Sequence, residues 1–387
     1  MKKGFTGWLI VLLWCSSLGA FAYPVDKFEP YLNLEASLPE FHTSTIQAAD
    51  TAQSELNWWQ LLKKGKLNLY DPEIKYPKFI GFCVNVYRWG DRVFNTYDTT
   101  YVKPTGRRWK AMIRSNNWVD SYAINLDQNH VFMASNIVAN IGPYITYMAV
   151  SVGYEFDLTN IFGKRPMNHK KFDFNFNCAR FSIDAYFQEN TGGTYLRRFN
   201  NYNDGHFFKY YLENLRLKAY GVDLYYYFNN RHYSQAAAYN FGRYQIKSSG
   251  SLITGLSLYS QDLSFDFTKL PNDMKQHFGL DNLSFYFHYN DYSLIVGYGY
   301  NWVFAKHCLF NICALPTIGY KHCFDDCVGG KRDIFSANIK GAMSVTYAKG
   351  DFFAGFVGKI DGHSFIGHNY SLFNSIESMV ANVGFRF

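Results

Sequence analysis

Two stretches in the C-terminal third carry the residue types that chemistry needs. Lys321-His322-Cys323-Phe324-Asp325-Asp326-Cys327 gathers an imidazole, two thiols and two carboxylates, and Lys306-His307-Cys308 echoes it. These are zinc donors. His307 and His322 nevertheless stand at opposite ends of one predicted strand, about 45–50 Å apart at ~3.3 Å per residue, and cannot share an ion. The local Cys323-x3-Cys327 reads better as a disulfide or a polar loop, since only one histidine lies near it. His363-Ser364 offers a base beside a nucleophile, the pair a lipid-acting hydrolase would use. Adjacent strand residues point to opposite faces, so Ser364 would need another base, such as His368 across the loop. Ser248-Ser249-Gly250-Ser251 after Lys247 has the composition of an anion-binding nest, and more simply that of a flexible turn. No metal or cofactor is called for.

What must position these residues is a set of strands with a period of two. Tyr292, Leu294, Val296, Tyr298, Tyr300, Trp302 and Phe304 oppose Ser293, Gly297, Gly299 and Asn301, and Phe335 to Tyr347 repeat the pattern. Tyr220, Val222, Leu224 and Tyr226 oppose Gly221 and Asp223. Tyr144 to Phe156 alternates with Ser151, Gly153, Glu155 and Asp157. In residues 171–188 the phase flips near Ala179, which predicts a bulge. One face is apolar throughout and the other is wet, with Glu155, Asp157, Asp184, Asp223, Lys340, Lys359 and Arg386 as candidate lumen charges.

The ends of the chain say where such a wall would lie. Lys2 and Lys3, the apolar run Trp8 to Trp14 and Ala20-Phe21-Ala22 make residues 1–22 a signal peptide. The run is far shorter than the roughly 20 residues of a spanning helix. At the other end, Ser378 to Phe387 alternates and stops on an aromatic. It resembles the closing strand of bacterial outer-membrane β-barrels, and the resemblance implies that Val383, Phe385 and Phe387 form the signal that barrel-assembly machinery recognises. On that basis deletion of Phe387 is expected to do most damage, Phe385→Arg less, and Arg386→Gln little.

Composition agrees with a wall in lipid. Aromatic residues reach 20%, charged residues 18%, and mean hydropathy is only −0.22. Alternation cancels in any hydropathy window, while Tyr and Trp gather in interfacial girdles. The net charge of +7 contains the two signal lysines, leaving 7 − 2 = +5, too diffuse for a nucleic-acid partner.

The expected fold is therefore all-β, a transmembrane antiparallel β-barrel over 106–387 preceded by a partly helical periplasmic extension over 23–105. Helical spacing of Phe79, Phe82, Val86 and Trp89 after Pro77 favours a helix there. Strands are expected at 109–116, 119–127, 129–140, 142–157, 171–188, 214–229, 250–268, 285–304, 307–321, 333–348, 351–363 and 375–387, about twelve in all. Ten remain if 109–127 stays outside the wall. Short turns at 305–307 and 348–351 would be periplasmic, and longer loops at 269–290, 322–332 and 362–374 extracellular.

Tyr70 to Phe79 (Y-D-P-E-I-K-Y-P-K-F), Asp91 to Lys110, Ser115 to Tyr122 (S-N-N-W-V-D-S-Y), Tyr226 to Asn229, His232 to Tyr239 (H-Y-S-Q-A-A-A-Y) and Gln245 to Gly255 are similar to an uncharacterised family of Bacteroidetes outer-membrane β-barrels, a domain of unknown function. The resemblance implies fold and location over nearly all of the mature chain and brings no catalytic residues. Two roles stay open: passive passage or binding of a small solute in the lumen, or a structural surface barrel whose lumen charges pair with one another. A lipid hydrolase using the His/Ser pair near the extracellular rim stands third. The expected partners are outer-membrane lipid, the assembly machinery and, in the first role, the solute.

Overall fold

The computed structural model describes residues 58–63, 71, 74–126, 129–147, 150–159, 168–200, 202–278, 284–324, 332–366 and 370–387. The expected signal peptide at residues 1–22, Asp325 to Cys327 and His368 lie outside them. The chain divides after Val93 into two units. In the first, α1 (Trp58–Lys63) is a short helix, and α2 (Lys78–Phe94) is helical as the spacing of Phe79, Phe82, Val86 and Trp89 predicts. The Pro77 carbonyl accepts the first turn's bond from Gly81 N–H at 2.7 Å. Phe79, Phe82, Val86 and Trp89 line one exposed face of α2, while Val84 is buried.

The second unit begins with β1 (Val102–Pro104), β2 (Trp109–Leu126), β3 (Asn129–Ser135), β4 (Val138–Tyr147), β5 (Val150–Gly153), β6 (Phe156–Asp157), β7 (Asn168–Asn177) and β8 (Phe181–Thr191). It continues with β9 (Thr194–Phe199), β10 (Tyr210–Leu212), β11 (Arg216–Tyr227), α3 (Gln235–Tyr239), β12 (Arg243–Gln245), β13 (Ser249–Asp266), α4 (Asn272–Phe278) and β14 (Ser284–Ala305). Last come β15 (Cys308–Cys323), β16 (Asp333–Lys349), β17 (Phe352–Ile366) and β18 (Tyr370–Arg386).

Neighbours in the wall run antiparallel, β7-β8-β11-β13-β14-β15-β16-β17-β18-β2, and β2 then pairs with β4 along its first half and β3 along its second. The last strand thus meets the first. Trp109 and Phe387 exchange backbone bonds of 3.1 and 3.0 Å. β5 and β6 both pair with β4, and with them taken as one interrupted strand the wall is β2, β4, β5–β6, β7, β8, β11 and β13 to β18, twelve in the described residues. The sheet curls until its two ends face one another, with the Asp157 carboxylate of β6 3.4 Å from His169 Nε2 of β7. No backbone ladder joins β5 or β6 to β7 among the described residues.

Burial along the wall is the reverse of that in a water-soluble protein. On β11, Tyr220, Val222, Leu224 and Tyr226 are exposed, and Leu217, Ala219, Asp223 and Tyr227 are buried. Leu256 of β13 is 53% exposed, whereas Gln261 on the same strand is 0% exposed. Along the middle of the wall the outward side chains are apolar, while the inward ones include polar and charged residues beside apolar clusters.

Several expected boundaries move. Residues 109–126 form one long strand in the wall instead of two short ones. The phase flip near Ala179 is a tight turn between β7 and β8, with Cys178 N–H donating to Phe181 O at 3.0 Å, and not a bulge. A turn reverses the chain and restarts the alternation, so from sequence the two look alike. β4 turns over after Tyr147, which places Tyr144 and Thr146 inward and Ile141 and Ile145 outward, contrary to the predicted phase. β14 to β15 and β16 to β17 are joined by short turns as expected, at His307 (φ 74°) and Gly350 (φ 57°). β17 reaches Ile366 and β18 starts at Tyr370, so the loop expected over 362–374 is mostly strand.

Candidate functional site: the barrel lumen

The lumen is filled in three layers. At the rim away from Phe387, Tyr122, Ile124, Met133, Leu196, Phe199, Leu263, Phe265, Phe287, Tyr289, Phe365 and Leu372 form a single buried apolar cluster. Phe287 and Phe365 meet edge to face at 5.4 Å, a favourable arrangement for aromatic rings.

Below it lies a polar belt. Lys340 stands 2.9 Å from Asp223 and 2.7 Å from Asp361, and Lys321 stands 3.0 Å from Asp291 and donates to Asn338 Oδ1 at 3.0 Å. Ser336 and Asn338 also donate to Asp291, at 2.6 and 2.9 Å. Asp120 takes no cation at this length but accepts from Gln188 and Asn190 at 2.6 and 3.0 Å. Isolated buried charges would cost several kcal/mol each, and these hydrogen-bonded sets offset that cost. Lys359 and Asp184 face each other more loosely at 3.9 Å.

The rim beside Phe387 is closed by the segment between β11 and β13, which folds into the barrel. Tyr233, Ser234, Ala237, Ala238 and Phe241 are buried. Ser234 caps α3 by accepting from Ala237 N–H at 3.2 Å, and two cations hold the carbonyls that follow the helix. Lys110 donates to Asn240 O at 2.6 Å and Arg386 to Phe241 O at 3.0 Å. Asn301 donates to Ser234 O at 3.1 Å and Asn311 to Tyr233 Oη at 3.1 Å, so the wall grips the segment from several strands. Burial of Tyr97 beside Ser234 pushes its phenol up, which keeps this contact uncharged. Gly299 and Gly355 make room for the segment: a Cβ there would lie 2.6 Å from Tyr233 Oη and from the Phe241 ring. Between this plug and the polar belt remains a cavity of about 160 Å³, lined by Asp184, Tyr227, Gln235, Tyr239, Lys359 and others.

Residues 96–387 match the family described as a domain of unknown function, DUF4421. The chain belongs to that family. No curated protein matches the sequence. Among solved structures it is similar to a bacterial polysaccharide outer-membrane secretin, 9% identical with a TM-score of 0.30 over 73% of this chain and 99% of that one. It is also similar to the outer-membrane protein OprG of Pseudomonas aeruginosa, 10% identical with a TM-score of 0.24 over 73% and 98%. TM-scores of this size carry nothing further, and the architecture rests on the strand pairing itself.

In this DUF4421 barrel the residues expected as lumen charges do not form one group. Asp184, Asp223, Lys340 and Lys359 come together around the cavity. Glu155 lies at the seam, accepting from Tyr144 Oη at 2.7 Å and Asn140 at 3.2 Å, and Asp157 pairs with His169. Arg386 sits apart at the plug, 2% exposed and bonded to Phe241 O, Tyr244 Oη and Gly350 O. Its hydrogen-bond partners are two backbone carbonyls and a phenol in place of the carboxylate expected for it. On the closing strand Val383, Phe385 and Phe387 are exposed, with Phe385 at 58%.

The reactive-looking motifs are not brought together. His363 is buried in the lumen, stacked on Tyr259 at 3.8 Å and 3.1 Å from Asp361, while the Ser364 hydroxyl donates to the Ala337 carbonyl. Cys323 lies inside the upper apolar cluster and His322 Nδ1 is 2.7 Å from Asp333. Among the described residues no three metal-binding side chains converge. Ser249 to Ser251 belong to β13 and receive Asn229, so the serine run is neither nest nor flexible turn.

Proposed function

We propose that this family member is an integral outer-membrane β-barrel, exported through a cleaved signal at residues 1–22, with residues 23–105 on the periplasmic side and the Phe387 rim facing the periplasm. Its role is that of a closed surface barrel and not of an open pore. The observation that supports membrane residence is the inverted wall: a continuous belt of exposed Leu, Val, Ile, Phe and Tyr around a polar interior. In water such a belt far exceeds the few hundred Å² of apolar patch that a monomer tolerates. In a bilayer it is the required exterior.

The filled lumen supports the closed state. Open aqueous channels belong to barrels of roughly 16 strands or more, whereas an interior near 8 is just filled by side chains. Here twelve strands are filled by side chains together with an inserted segment. Outer-membrane lipid and the barrel-assembly machinery are the partners this reading needs. Cell fractionation tests it: the mature chain should begin at Tyr23, sediment with the outer membrane, and migrate faster unheated than heated. Recovery in the soluble periplasmic fraction would end the reading.

A further inference from the structure

The lumen lysines are of two kinds. Lys321 and Lys340 have side chains 0% and 7% exposed and are held at 3.0 Å or less by carboxylates. Lys359 is 43% exposed and stops 3.9 Å from Asp184, beyond hydrogen-bond length. By strand order β8 and β17 stand on opposite sides of the lumen, so this pair spans it. Asp184 is also directly opposite Asp223 in the β8–β11 register, a repulsive position for two carboxylates. Lys340 serves Asp223 and Asp361, which leaves Lys359, at 3.9 Å, as the cation of Asp184 in an ion pair without a hydrogen bond.

Both groups line the cavity of about 160 Å³, which extends to Asp173 and Asn175 on β7. Those two residues are exposed, and β7 carries a ladder on one side only among the described residues, so the cavity is approachable along that seam. We propose that the cavity binds a small zwitterionic solute, with the solute's ammonium on Asp184 and its carboxylate on Lys359. Laid beside the pair, such a molecule completes an alternating square of charges. A simple anion on Lys359 or a simple cation on Asp184 would satisfy one member of the pair and add net charge beside the other, whereas a zwitterion adds none. The size fits a ligand of amino-acid scale, since sites for drug-sized molecules run to ~300–1,000 Å³.

The inference rests on the barrel reading only in needing a folded lumen. The test is calorimetric titration of the refolded mature chain in detergent micelles with glycine, and separately with acetate and methylammonium. Glycine should bind at least about tenfold more tightly than either half-ligand. Lys359→Met should cost glycine about tenfold without weakening methylammonium, Asp184→Asn should likewise cost glycine without weakening acetate, and Lys359→Arg should keep glycine binding. A heat-modifiable protein that gives no glycine heat, or Met and Asn variants that bind glycine as the parent does, would overturn the site. Loss of the heat-modifiable form in the parent chain would overturn the barrel and the cavity with it, and is read on a gel before any titration.

Discussion

The two ends of the lumen are sealed by different means. At the rim away from Phe387 the seal comes mainly from side chains of the strands and their connections, such as Tyr289, Phe287, Phe365 and Leu372, which meet where the wall itself brings them. At the other rim the seal is an inserted piece of chain, 229–248, held by hydrogen bonds from Lys110, Asn301, Asn311 and Arg386. A seal made by the wall can be lost only by taking the wall apart. A seal that is inserted can be removed while the ladders around it stay paired, so the two ends should respond differently to the same kind of insult.

The largest effect should follow from replacing 230–247 by a short Gly/Ser turn between β11 and β13. Cys313, buried at 4% and lining the cavity, should then go from inert to fully labelled by a membrane-impermeant thiol reagent, read by peptide mass spectrometry. Cys323, inside the far apolar cluster, should stay inert. Equal labelling of both would erase the contrast between the ends. Lys340→Met strikes the belt that separates them. It leaves Asp223 and Asp361 buried without their cation and should lower the urea-unfolding free energy in micelles by about 3–5 kcal/mol.

Gly355→Leu should push Phe241 out of its seat and cost about 1–3 kcal/mol, with proteolysis appearing within 229–248 and nowhere in the wall. Arg386→Gln gives up donors to Phe241 O and Gly350 O and should cost about 1–2 kcal/mol while leaving assembly intact. An assembly defect as severe as that of Phe387 deletion would mean that Arg386 acts in the closing strand and not on the plug.

The same contrast marks what the sequence could reveal. The wall was legible because each strand repeats one physical rule, lipid on one side and lumen on the other, and from Arg216 onward the expected strands match the observed ones closely. The seal at the Phe387 rim was not. His232 to Tyr239 has no period, and nothing in H-Y-S-Q-A-A-A-Y says that a loop re-enters the barrel. Gly299 and Gly355 leave room for Tyr233 and Phe241, and nothing in the sequence around either glycine names that partner. In the belt, Asp361 was missed although it sits two residues from Lys359 and therefore on the same face. Asp291 lies inside the strand expected over 285–304, one residue before Tyr292, where the reading of its alternation begins. Lys321 stands inside a motif rich in zinc donors, where it shares the inward face with Cys323 and serves Asp291 instead of a metal.

The central claim is that an outward apolar wall encloses a lumen shut at both ends, and planar-bilayer recording of the refolded full-length mature barrel tests it most directly. The structure predicts inserted, heat-modifiable protein with no steady conductance, and continued silence after removal of 230–247 alone, because the Phe287 and Phe365 cluster still blocks the far rim. A steady, ohmic conductance from the unaltered chain would contradict the account, since the apolar cluster fills one rim and the inserted segment the other.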